Sequence, residues 1–149
     1  MSKDAKPAPK KEVTNKISDE QAEMEFDNFV EAMDLDVNMD TMDENDKGDF
    51  IRLKQTVINA VVKGSLVFND DHEPVFTPTH SSASEVGPIT FYEPTGANFM
   101  EMDRKKAGHD IGKTHALMAG ITKKPAKLFA GLKNRDYKVC NAIVMIFLG

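Results

Sequence analysis

Apolar residues recur along much of the chain with the 3.6-residue period of a helix that buries one face. Ala22, Phe26, Phe29, Val30 and Met33 fall on one such face behind Ser18-Asp-Glu-Gln21, which reads as a capping box. Phe50, Leu53, Val57, Ala60 and Val61 make a second stripe, with Asp49 as its expected cap and Gly64 as its stop. Leu35 to Lys47, acidic and without period, is expected to be a loop. The pattern then shortens to two β-rich runs, Leu66-Val-Phe-Asn69 and Pro74-Val-Phe-Thr77, around a polar Asp70-Asp-His-Glu73 connection. That predicts a hairpin, and Pro74 and Pro78 place its second strand at an edge. Thr79 to Gly87 reads as a polar loop and Ile89 to Glu93 as a third short strand.

The remainder is helical in pattern. Pro94-Thr-Gly96 is a turn, and Thr95 or Asn98 caps a helix carrying Phe99 and Met102 that Gly108 ends. Asp110 opens a helix with the spine Ile111, Thr114, Leu117, Met118 and Ile121. Pro125 begins a short segment with Leu128, Phe129 and Leu132. Asn134 or Asp136 caps the last helix, along which lie Tyr137, Val139, Cys140, Ile143, Ile146 and Phe147. The fold class is α+β: mainly helical, with a small antiparallel β-hairpin or sheet and a C-terminal helical unit. Residues 1–17, rich in Lys, Pro and Ala, read as a disordered basic arm. Residues 18–48 form an acidic helix and loop, and 49–149 the main domain.

Composition narrows the class. At 149 residues, with 40% apolar and 29% charged residues, the chain has one domain's worth of core material. Its mean hydropathy of -0.42 reads as soluble. The longest apolar run, Ala142 to Leu148, is far short of the ~20 residues of a bilayer span, and no secretion signal is seen, so no membrane partner is expected. The single cysteine, Cys140, excludes an internal disulfide and a CxxC site and is expected to be a buried, inert thiol.

Charge is strongly segregated. Residues 17–49 hold thirteen acidic side chains and one Lys, whereas residues 104–149 hold ten basic and two acidic ones. Such halves permit attraction between copies, and hence a homo-oligomer, or an acidic partner. Nucleic acid is disfavoured: the basic residues are spread over several helices, aromatic interleaving is sparse, and the whole chain carries -5.

No catalytic constellation emerges. Asp34-x-Asp36-x-Asn38-x-Asp40 has the opening rhythm of a calcium loop, but Met39 stands where the turn glycine belongs and Asn45 where the bidentate glutamate belongs. Gly108-His-Asp-Ile-Gly-Lys-Thr114 is one residue short of a phosphate-binding loop and follows no strand. His72, His80, His109 and His115 lack metal-ligand spacing. The expectation is a non-enzyme without cofactor or metal.

From Asp49 to Gly149 the order of features resembles the tail assembly chaperone family of long-tailed bacteriophages. The resemblance is carried by Asp49-Phe-Ile-Arg-Leu-Lys-Gln-Thr-Val-Ile-Asn-Ala-Val-Val-Lys-Gly64 running into Leu66-Val-Phe-Asn-Asp-Asp-His-Glu-Pro-Val-Phe-Thr-Pro78. It continues through Ile89-Thr-Phe-Tyr-Glu-Pro-Thr-Gly-Ala97, Met102-Asp-Arg-Lys-Lys106 and Ala119-Gly-Ile-Thr122 ahead of Pro125. It ends in Leu132-Lys-Asn-Arg-Asp-Tyr-Lys-Val-Cys140 and Phe147-Leu-Gly149.

The resemblance implies a non-enzymatic protein that coats the helical, apolar tape measure protein during tail morphogenesis, with the tail tube protein as a further partner. It implies action in the cytoplasm of the infected host cell and absence from the mature virion. Nine Met and nine Phe suit an adaptable apolar surface. Candidate client contacts are Leu128, Phe129, Leu132, Val139, Ile143, Met145, Ile146 and Phe147, at least half of which are expected to serve the core instead. The turn Glu93-Pro94-Thr95-Gly96 is expected to set a backbone bend.

Overall fold

A computed structural model describes residues 16–80, 86–104 and 110–148, with 110 and 111 described in the backbone alone. Expectations for the arm before residue 16, for residues 81–85 and for Gly108 lie outside the described residues. The fold is α+β, as its pattern predicts: among the described residues, six α-helices and one three-stranded antiparallel sheet. In chain order they are α1 (Asp19–Ala32), a 3₁₀ turn (Met39–Thr41), α2 (Glu44–Lys63), β1 (Leu66–Phe68), β2 (Pro74–Phe76), β3 (Ile89–Thr90), α3 (Gly96–Asp103), α4 (Asp110–Thr122), α5 (Ala126–Ala130) and α6 (Asn134–Leu148).

Local chemistry explains most boundaries. The Gln21 amide donates to the Ser18 hydroxyl at 3.1 Å and starts α1, while the Gln21 side chain turns forward to Glu25. At Thr95 the full reciprocal box forms with Asn98, so Glu93 to Gly96 is the bend that launches α3. Gly64 closes α2 with φ 85°, a left-handed conformation that glycine adopts without the steric cost of a Cβ.

Three expectations are corrected. First, α2 begins at Glu44, not after Asp49, because the Asp43 carboxylate accepts the Asp46 amide at 2.8 Å and Glu44 and Asp46 sit favourably in the first turn. The expected loop therefore gives way to helix from Glu44, and its remainder contains the 3₁₀ turn. Second, β2 is the central strand, in the order β1-β2-β3. Pro74 is tolerated there because it is the first residue of the strand, and its carbonyl accepts the Phe91 amide at 2.8 Å. Third, the boundary at 48/49 falls inside α2, and residues on both sides share one core. Phe29 of α1 stacks on Phe68 of β1 at 5.2 Å and meets Phe147 of α6 edge-on at 5.4 Å. Ile17, placed with the arm, packs against the same core and donates its amide to the Val62 carbonyl.

The sheet is paired as Leu66↔Phe76, Val67↔Val75 and Phe76↔Ile89, which turns Leu66, Phe76 and Ile89 inward and leaves Val67 exposed. Its hairpin turn is organised by Asn69, whose side-chain oxygen accepts the amides of Asp71 and Glu73. The Tyr92 amide donates to the Ile121 carbonyl and ties the chain beyond β3 to the end of α4. The most extensive helix packing is between α2 and α6, and α6 also packs on α4. Cys140, Ala142, Ile143, Val144, Ile146 and Phe147 are thereby all buried. A helix apolar on nearly every side is stable here because neighbours cover nearly every side.

Candidate functional site

The burial of α6 divides the eight candidate client contacts. Phe129, Ile143, Ile146 and Phe147 are 0%, 1%, 2% and 7% exposed and belong to the core. They offer little surface to a client, and of the four only Ile146 borders a cleft between α2 and α6. Leu128, Leu132 and Val139 are half-buried against that core. Met145 is 38% exposed and is the one member of the set that stands on the surface.

Met145 lies in a shallow groove between α2 and α6. Two adjoining clefts, of about 440 and 350 Å³, share Asp49, Leu53 and Met145. The larger runs toward the start of α6, past Ala142, Lys138 and Tyr137. The smaller runs toward the start of α2 and the 3₁₀ turn, past Phe50, Asp46, Met42 and Asp36. A third depression of about 190 Å³ shares Thr56 and Lys138 with the larger cleft and extends the row to Lys63 and Arg135. Asn59 and Lys63 border the row with Arg135 and Lys138, and Asp46 and Phe50 border it with Met145 and Ile146, so α2 and α6 run antiparallel along it. From Asn134 to Ile146 the row covers about 18 Å at 1.5 Å per residue.

The groove has apolar footing and charged ends. Leu53 and Met145 provide the middle, over the buried Ala142; Met145 and Met42 are unbranched side chains that adapt to varied surfaces. The Arg52–Asp49 ion pair spans one turn of α2 at its rim. Tyr137 is held by a 3.0 Å hydrogen bond to Nε2 of His115, their rings edge-on at 5.4 Å, which fixes α6 to α4. Burial, and secondarily Cys140, pushes the Tyr137 hydroxyl above its usual range.

Asp136, only 1% exposed, anchors the same region. Its carboxylate accepts the amides of Thr79 at 3.1 Å and His80 at 3.0 Å, locking the chain beyond β2 onto the start of α6. Asp136, expected as a cap, lies inside the first turn of α6 and serves there as a long-range clamp. Cys140 is buried; desolvation first and the Asp136 charge second push its thiol well up, so it is protonated at neutral pH and a poor nucleophile. Among the described residues no three His, Cys, Asp or Glu side chains converge as metal ligands, and no helix is long and apolar enough to cross a membrane.

The groove's main surface residue, Met145, was legible in the sequence, but its wall was not. Leu53 reads as plain core, and Asp36, Asp46 and Lys138 read as solvated charges. The only sequence signal was the segregation of acidic and basic residues, which the antiparallel α2–α6 pair converts into opposite ends of one surface.

Comparison with protein-family models, curated protein sequences and solved structures finds no match to this chain.

Proposed function

We propose that this protein is a non-enzymatic assembly chaperone that binds the helical tape measure protein during phage tail morphogenesis. Tail tube subunits are its second partner. It acts in the host cytoplasm and leaves before the virion is complete. Two things support the reading: the ordered resemblance from Asp49 to Gly149, and the Met145 groove, which carries it. A long helix with an exposed apolar stripe aggregates unless that stripe is covered. A groove with Leu53 and Met145 along its middle has the dimensions to receive one face of such a helix.

The test is co-expression with a tape measure fragment that is insoluble alone. The expected result is recovery of soluble fragment with the wild-type chain and loss of that recovery with Met145→Asp, folding being checked by circular dichroism. No recovery with the wild-type chain refutes the reading. Stoichiometric presence of the protein in purified virions establishes a structural tail subunit instead.

A further inference from the structure

The row of depressions along α2 and α6 is electrically polarised. At one end stand Lys63, Arg135 and Lys138; among the described residues these have no ionic partner. That end also holds the N-terminus of α6, whose dipole is met by the buried Asp136 carboxylate, so the positive charge there rests on these three exposed or half-exposed side chains. At the other end stand Asp36 and Asp46, whereas Asp49, paired with Arg52, belongs to the middle. Leu53 and Met145 lie between the two ends.

We infer that the groove accepts a single amphipathic helix of about four turns, and that it accepts it in one direction. The occupant carries acidic side chains in its N-terminal turn, over Lys63, Arg135 and Lys138. It carries basic side chains in its C-terminal turn, over Asp36 and Asp46, and an apolar i, i+3/i+4, i+7 stripe against Leu53 and Met145. Length follows from the ~18 Å of α6 and the ~25 Å of α2, from Asp46 to Lys63, that border the row. Direction follows from charge. The opposite direction sets acid against acid and base against base, and like charges across an interface suppress binding. The same arrangement suits the free helix, since acidic residues stabilise a helix N-terminus and basic residues its C-terminus. The occupant therefore runs parallel to α6 and antiparallel to α2. This deepens the chaperone reading and rests on it for the source of the helix: a client with repeated segments of this charge order is coated with all chaperones facing the same way.

The test uses the full chain and two fluorescein-labelled peptides of about 16 residues, four turns of helix. Both carry the same leucine stripe. One has Glu in its first turn and Lys in its last; the other has these interchanged. Both are side-chain stapled so that their helicity matches. Fluorescence anisotropy at low salt is expected to show the first peptide binding about tenfold more tightly, the gap narrowing near 0.5 M salt as screening shortens to a few Å. The charge-swapped variant Arg135→Glu/Lys138→Glu/Asp46→Lys is expected to prefer the second peptide. Met145→Asp is expected to weaken both by about tenfold or more. All four substituted positions are exposed, so folding should survive.

Equal affinity for the two peptides overturns the direction, and an unchanged affinity in Met145→Asp overturns the groove. If the tape measure fragment is rescued while neither peptide binds, this inference fails and the chaperone reading stands. If the peptides are discriminated while no fragment is rescued, the groove stands and the chaperone reading falls.

Discussion

Replacing Asp136 with alanine removes a carboxylate that receives at least two backbone amides from residues 56 and 57 positions earlier in the chain. A hydrogen bond to a charged group contributes about 1.5–3 kcal/mol to stability. The Thr79 side of the clamp is exposed and His80 half-buried, so water recovers part of each bond in the variant. Asp136 also lies in the first turn of α6, where a negative charge contributes about 0.3–1 kcal/mol more. Relief of the desolvation cost of a 1% exposed carboxylate works the other way. The expected loss is about 2–4 kcal/mol, a large share of the 5–15 kcal/mol typical of a domain. Asp136→Asn keeps one acceptor oxygen and should lose about half as much. Urea unfolding monitored by circular dichroism measures both. Amide hydrogen exchange localises the effect: protection at His80 should fall well before that at Phe76, which remains in the sheet. A loss below about 0.5 kcal/mol in Asp136→Ala, with His80 exchange unchanged, would refute the clamp.

Three further outcomes are expected. Ile143→Ala should cost about 2–5 kcal/mol in urea unfolding, because it opens a cavity beside a 1% exposed side chain, while Met145→Ala should cost less than about 1 kcal/mol; similar costs would contradict the burial of α6. Folding raises the pKa of Cys140, so its contribution is complete below the unfolded thiol's ~8.5 and fades as pH rises above it. Urea midpoints should decline between about pH 8.5 and 10.5 in the wild type and less so in Cys140→Ala, with Tyr137, also raised, adding to the loss above about pH 10 in both. Asp43→Ala should cost about 1 kcal/mol by removing the cap of α2, and Asp49→Ala distinctly less; the reverse order of midpoints would restore the later helix start.

The sequence by itself determined the elements whose causes are local. Periodic apolar residues with caps at Ser18 and Thr95 and a left-handed stop at Gly64 marked helices, and the two β-rich runs around Asn69 to Glu73 marked the hairpin, because each signal acts within about four residues. Asp43 and Asp46 carried an equally local signal for α2, hidden among other acidic residues that offered several possible caps. Tertiary structure alone decided which apolar surfaces were covered. Nothing near Ile143 or Phe147 distinguishes it from Met145; only the approach of α1, α2 and α4 buries the first two and leaves the third in the groove. The same holds for β2, drawn to the centre of the sheet by Ile89 and Thr90, and for Asp136, whose partners lie far off in the chain. Hydrophobic burial and charge alignment across an interface depend on distances that chain spacing does not encode. The groove and its polarity exist only once α2 and α6 lie antiparallel.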